Sequence, residues 1–408
     1  MTPDLPAILK QAFGPDAPPR VGVAVSGGGD SMALLVGLHA AGFDLAAVTV
    51  DHGLRADSAG EAAEVGRFCT GIGVPHSVLS WEGTAAAGNL MDAARRARLR
   101  LIGAWAQGQG IADVALGHTA DDEAETFLMR LGREAGLEGL AGMRRRFVAE
   151  GVTWHRPLLG VSRADLRAAL RARGLGWIDD PSNDNPRFGR VRARQALATL
   201  APLGITAATL GAVVRNLAAA DAVLSETLCR FVAEAVTTPA GDVVIGRAGF
   251  ADLASELQRR LLNAALRWIS GSAYAPRARK VADLLAELAA PQTDRTLHGC
   301  RIRTGRDTIR LSREAAAVAA LRVPAGGLWD RWRLTGPAAP GLEIAALGNE
   351  GLLQCPHWRE TGLPRASLLA SPAVWHGDAL IAAPLAGLEN GWKARIDCGA
   401  FAESLIRR

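Results

Sequence analysis

The stretch Val21-Gly-Val-Ala-Val-Ser-Gly-Gly-Gly-Asp-Ser31, followed by Met32-Ala-Leu-Leu35, runs an apolar β-type segment into three glycines and then into a helical one. Each part has a physical job. Gly27, Gly28 and Gly29 let backbone N–H groups approach and cradle phosphate oxygens where a Cβ would stand in the way. The helix that follows points its positive end at the same spot. Ser26 and Ser31 bring hydroxyl donors, and Asp30 is placed to hold a Mg²⁺ that bridges phosphates. A plain strand-to-helix turn capped by Asp30 or Ser31 is the alternative. The spacing is not G-x-x-x-x-G-K-[ST], and the missing lysine argues against a Walker-type phosphotransferase; nor is it the dinucleotide fingerprint G-x-G-x-x-G.

Outward from this loop the alternation continues. Leu45 to Val50, Ser77 to Trp81 and Asp113 to Gly117 read as strands, and Ser31 to Ala41, Ser58 to Gly71, Leu90 to Gly108 and Asp121 to Leu131 as helices. Such repetition over 21 to 156 predicts an α/β fold, a doubly wound parallel sheet with helices on both faces and ligands at the carboxyl ends of its strands. From 201 to 315 the reading is mainly helical, closed by a strand pair around Thr296 to Leu311. Residues 320 to 408, richer in Pro, Gly and Trp, read as a small, partly β domain.

With 408 residues and 49% hydrophobic content, the chain is long enough for two or three domains. Its longest apolar runs fall short of a bilayer span and the N-terminus lacks a leader pattern, so no membrane segment and a cytoplasmic location are expected. The cysteines at 69, 229, 300, 355 and 398 form no Cys-x-x-Cys pair, which argues against a zinc ribbon, an iron–sulfur site or a disulfide framework. A formal charge of +5 carried almost entirely by arginine permits a polyanionic partner, because the guanidinium fork suits phosphate; a bias in codon usage would give the same composition. Oligomeric state is not legible.

The loop at 26 to 31 resembles the SGGxDS pyrophosphate loop of the N-type ATP pyrophosphatases, or PP-loop superfamily. That resemblance implies ATP split between its α- and β-phosphates to give an adenylated intermediate. Further segments resemble the tRNA(Ile)-lysidine synthetases: Asp51-His-Gly-Leu-Arg55 with Ser58, the Asn89 to Arg98 helix, Gly117-His-Thr-Ala-Asp-Asp-Glu-Ala-Glu-Thr126, Arg156-Pro-Leu-Leu159 with Ser162-Arg163, Trp177 to Asn183, and Arg190-Val-Arg-Ala-Arg194. The matches cover about residues 20 to 200. Leu99 and Val191 depart from that pattern, standing where the family carries a tyrosine and an asparagine.

What the resemblance implies is lysine ligated to the wobble cytidine of a tRNA(Ile) with a CAU anticodon, with ATP and Mg²⁺ as cofactors. Asp30, Arg98, His118 and Asp122 are then the expected catalytic groups, and Ser26 to Ser31 the ATP cradle with Asp30 as metal ligand. Asp122 and Glu125 would bind L-lysine, and Arg95, Arg190 and Arg194 would contact tRNA. If the helix ran from Thr119, His118, Asp122 and Glu125 would share a face; Asp121 as a cap, with the others solvated, is the alternative. A PP-loop thiolase, a small-molecule synthetase fed with ammonia and a non-catalytic RNA-binding protein are the rivals. The first would call for paired cysteines, the second for a glutaminase module.

Overall fold

The computed structural model describes residues 3–406 except 16, 52, 54–57, 82–89, 180–186, 188, 273, 291 and 338. Helix α1 (Leu5–Phe13), capped by the Asp4 carboxylate, precedes strand β1 (Arg20–Ala24). Then follow α2 (Gly29–Ala40), β2 (Asp44–Asp51), α3 (Ser58–Gly71), β3 (His76–Ser80), α4 (Leu90–Gly108), β4 (Asp113–Leu116) and α5 (Ala120–Leu131). A short α6 (Leu137–Leu140) leads to β5 (Arg146–Ala149) and β6 (Val152–His155), and α7 (Arg163–Arg171), α8 (Gly189–Leu200) and α9 (Ala207–Ala235) come after.

The sheet order is β3-β2-β1-β4-β6-β5, parallel except for the β5–β6 hairpin at its edge. The side-chain period of two divides its residues between two cores. Leu45 and Ala47 of β2 and Ala115 of β4 join Leu34 and Leu38 of α2 and Leu166 of α7 on one face. Ala46, Val48, Val114 and Leu116 join Ile102 and Ala106 of α4 on the other. The sheet is therefore doubly wound, as its sequence pattern predicts. The antiparallel edge is not part of that expectation: Glu150 and Gly151 take φ of 50° and 71°, and two consecutive left-handed residues suit a tight hairpin.

The chain divides into two compact units, residues 1–222 and 223–408, the boundary falling inside α9. The sequence pattern suggests a finer division, at 1–200, 201–315 and 320–408. Leu210 and Val214 of α9 pack with Ala124 and Phe127 in the first unit's core, while Leu228 and Val232 belong to a core of the second. By length and composition α9 is the one helix among the described residues long and apolar enough to cross a membrane, which the short apolar runs of the sequence do not suggest.

In the second unit, β7 (Val236–Thr237), β8 (Val243–Gly246), β9 (Asp294–Leu297), β10 (Cys300–Thr304) and β11 (Thr308–Arg313) form an antiparallel sheet in the order β7-β8-β11-β10-β9. Helices α10 (Arg247–Asp252), α11 (Ser255–Ser270) and α12 (Ala278–Leu288) contribute Phe250, Leu261, Leu284 and Leu288 to its core. The remaining strands are β12 (Arg322–Pro324), β13 (Leu328–Trp329), β14 (Trp332–Thr335), β15 (Leu342–Ala346), β16 (Pro372–His376), β17 (Ala379–Ala382) and β18 (Lys393–Ile396). They make two small sheets, β12-β15-β16-β17 and β13-β14-β18. The last helix, Phe401–Ile406, returns Phe401 and Leu405 to the core of the five-stranded sheet, tying the two parts of this unit together.

Candidate active site

β1 lies between β2 and β4, so the chain order reverses there and opens a crevice at the carboxyl ends of β1 and β4. The glycine loop sits at that point. Ser31 Oγ donates to the Gly28 carbonyl (2.9 Å) and accepts from the Ser26 N–H (3.1 Å). With its own proton committed, it accepts from the Ser26 hydroxyl as well (3.2 Å), and the two serines close the loop on itself. Gly27 has φ +83°, and a Cβ there would stand 2.6 Å from Ile178 Cδ1. Gly28 caps α2 without a side-chain bond, leaving the first-turn N–H groups without intrahelical partners and ready for an anion. At the end of β4, a Cβ on Gly117 would meet Ser31 N and the Asp30 carbonyl at 3.1 Å, so this glycine lets the end of β4 approach the first turn of α2.

Beside the loop, Arg163 at the start of α7 joins three carboxylates. Its Nε donates to Asp30 Oδ2 (3.0 Å), its Nη2 to Asp122 Oδ1 (3.2 Å) and its Nη1 to Glu125 Oε1 (3.3 Å). Its backbone N–H donates to Asp121 Oδ2 at 2.7 Å. Arg190 reaches Asp122 Oδ1 (3.5 Å) and Arg194 reaches Glu125 Oε1 (3.0 Å). Burial opposes the charge on Arg163, but Asp122 and Asp30 overcome it and hold the guanidinium protonated well above its ordinary range. For Asp122 burial also opposes ionisation, and Arg163, the Thr119 N–H and Arg190 outweigh it, so its carboxyl falls below the usual range. Asp30 goes the other way: burial first, with the charges of Asp122 and Asp121, raises it more than Arg163 lowers it. Asp30 Oδ1 and Glu125 Oε2 are buried without a hydrogen-bond partner among the described residues.

α5 begins at Ala120, so His118 lies ahead of the helix and not on its face with Asp122 and Glu125. Thr119 caps it. Asp122 Oδ2 accepts from the Thr119 N–H and hydroxyl, both at 2.9 Å, a reciprocal box that buries Asp122 instead of leaving it solvated. Glu125, one turn on, is 1% exposed. His118 Nδ1 accepts from Arg156 Nε at 3.2 Å; burial first and Arg156 second push its pKa down to about 3.

The structure thus gathers Asp30, His118, Asp122, Glu125, Arg190 and Arg194 at one end of the sheet. Arg95 and Arg98 are exposed side chains of α4, near enough for the charges of Arg95 and Arg190 to act on Arg98. Leu99 packs into the core under α4, and Val191 is buried, so both departures serve packing. Sequence reasoning gives Arg156 and Arg163 no role, because what they touch is distant along the chain. Most of the Asp51 to Arg55 element, Asn89 and the 180–183 turn fall outside the described residues. Among the described residues no group of three or more His, Cys, Asp or Glu side chains is arranged to hold a metal.

Residues 1–201 match the PP-loop domain family. Over 402 residues, 97% of this chain and 96% of the other, the sequence is 48% identical to the tRNA(Ile)-lysidine synthase of Ruegeria pomeroyi. The protein of the same name from Hyphomonas neptunium is 40% identical over 72% of this chain and 81% of its own. That from Bradyrhizobium diazoefficiens is 41% identical over 66% of this chain and 78% of its own. A loop built for pyrophosphate, an arginine-bridged acidic cluster beside it and likeness along nearly the whole length agree: the chain belongs to the tRNA(Ile)-lysidine synthase family.

Proposed function

We propose that the protein uses ATP to attach L-lysine to C2 of the wobble cytidine of a tRNA(Ile) with a CAU anticodon. The observation that carries this reading is the pairing of the pyrophosphate loop with the buried Asp122–Glu125 pair, an anion cradle beside a cation site. In the first step the cytidine O2 attacks the ATP α-phosphorus and pyrophosphate leaves. The N–H groups at the start of α2 and the serine-closed loop are preorganised for its charge. Asp30 suits a Mg²⁺, since Oδ1 is buried and has no partner among the described residues while Oδ2 is held by Arg163. A magnesium ion bound there would neutralise phosphate charge.

In the second step the lysine ε-amine attacks the activated C2 and AMP leaves with the former O2. The amine must shed a proton first, its reference pKa being about 10.4. Asp122 is committed to Thr119, Arg163 and Arg190, whereas Glu125 Oε2 has no partner among the described residues, so we assign Glu125 the ammonium contact and Asp122 the placement of the arginines. Arg163 and Arg194 cover Glu125, and lysine entry moves a guanidinium aside. Arg95, Arg98, Arg190 and Arg194, exposed or partly so, then face tRNA phosphates and the activated nucleotide. The helical and C-terminal segments from 201 onward are proposed as further tRNA contacts. A soluble, cytoplasmic enzyme fits this role. The test is AMP release that requires both lysine and the CAU-bearing tRNA; release indifferent to either would refute the reading.

A further inference from the structure

Arg156 follows β6, and its side chain is 7% exposed. Its guanidinium lies 4.3 Å from the Phe147 ring centroid, Nη1 donates to the Arg144 carbonyl at 2.8 Å, and Nε donates to His118 Nδ1 at 3.2 Å. The ring below and the carbonyl beside it leave the guanidinium one orientation. A guanidinium nitrogen has a proton to give and no lone pair with which to receive one, so this bond exists only while Nδ1 is unprotonated. A neutral imidazole keeps a single N–H, which must then sit on Nε2.

We infer that Arg156 is a positioning residue that fixes His118 as the neutral Nε2–H tautomer, so that His118 serves the reaction as a hydrogen-bond donor and not as a base. This rests on the proposed ligase reading and assigns a role within the same site. The charges around the ring agree. Arg156 from the segment after β6, Arg190 of α8 and Arg95 of α4 all disfavour a second proton. Asp122 of α5 favours one, but Thr119, Arg163 and Arg190 already share its charge. With burial acting in the same direction as the arginines, the ring stays uncharged across the working range. A neutral donor beside the loop can stabilise an oxygen that gains charge, either on the α-phosphate or on departing AMP, without giving up its proton. The proton shed by the lysine ammonium therefore goes to Glu125 or to solvent, not to His118.

The test is nitrogen NMR on the full-length protein labelled at its histidines, the His118 signals assigned by their absence from His118→Gln. The expected spectrum shows Nε2 protonated, Nδ1 unprotonated and no titration between pH 8 and pH 5. Arg156→Met, and Arg156→Gln, whose amide oxygen can accept from an Nδ1–H, should the first variant fold poorly, should populate the Nδ1–H form or let the ring begin to titrate above pH 5. The kinetic arm compares His118→Gln, which keeps an N–H near the Nε2 position, with His118→Leu. Adenylation by the glutamine enzyme should stay within about tenfold of the parent, with the leucine enzyme at least tenfold slower again and no histidine limb in the parent's pH profile. A protonated Nδ1 in the parent, or equal loss in both variants, would overturn the inference. Failure of the ligase reading would show differently, as absence of lysine transfer with the tautomer intact.

Discussion

Arg163 Nε and Asp30 Oδ2 lie 3.0 Å apart across 133 positions of sequence, and the same guanidinium reaches Asp122 and Glu125. One arginine therefore connects the carboxylate at the ATP loop with those on α5. Its side chain is 19% exposed, so removing it strands Asp30 in a poorly solvated site and leaves Asp122 to Arg190 and Glu125 to Arg194 alone. Arg163→Met is expected to lower unfolding stability by about 3 kcal/mol, in line with loss of one partner from a buried ion pair. It should also lower kcat/KM for tRNA by at least ~100-fold. Arg163→Lys should recover little, because a point charge cannot serve three carboxylates as a planar fork does. Urea unfolding and steady-state kinetics check both; parent-like stability and rate in Arg163→Met would mean that the cluster holds itself.

Gly27 tests the phosphate cradle separately from the acids. Its φ of +83°, and the 2.6 Å that would separate an added Cβ from Ile178 Cδ1, make alanine strained at this position. Gly27→Ala should weaken ATP binding by roughly tenfold, about 1.4 kcal/mol, and leave tRNA affinity unchanged. Calorimetric titration with ATP, alongside a tRNA binding isotherm, separates the two; unaltered nucleotide affinity would remove the loop from the site.

Acid should destabilise the fold from about pH 6.5 downward. His118 takes up a proton near 6.5 when unfolded, but burial, with Arg156 next, holds it down to about 3 in the folded chain. Between those values the unfolded state binds more protons, so this contribution is full above 6.5 and is lost as the pH falls toward 3. Urea midpoints measured from pH 7.5 to pH 5 should decline, and His118→Gln should flatten part of that decline. An identical slope in the variant would show that other groups carry it.

Much of this arrangement is legible in the sequence, and the remainder fails for a physical reason. The strand-to-loop-to-helix sense of 21 to 35 is local: periodicity and glycine placement specify it. The grouping of Asp122 and Glu125 is local too, since i and i+3 share a helix face. The capping role of Thr119 escapes a sequence reading because aspartate and threonine both cap, and only the reciprocal bonds to Asp122 show which does. Arg163 and Arg156 become functional only when the fold brings α7 and β6 to the mouth of β4; no spacing rule links positions 30, 122 and 163. The β5–β6 edge hairpin is hidden because its Glu150-Gly151 turn lacks the asparagine or aspartate that usually marks one.

Binding of tRNA should weaken steeply with salt if about six or more phosphates are neutralised. Arg95→Ala, at an exposed position of α4, is expected to reduce the log–log slope by about one while leaving ATP affinity alone. Filter binding from roughly 50 to 300 mM salt measures this, and a flat response would remove the nucleic acid from the account.

The most direct measurement supplies the protein with ATP, Mg²⁺, labelled lysine and a tRNA bearing a CAU anticodon, then separates the digested nucleosides. A lysine-bearing cytidine formed in equal amount to AMP, and absent with Asp30→Ala, is the predicted outcome. Digests without that nucleoside while ATP is consumed, or an undiminished yield from Asp30→Ala, would contradict it.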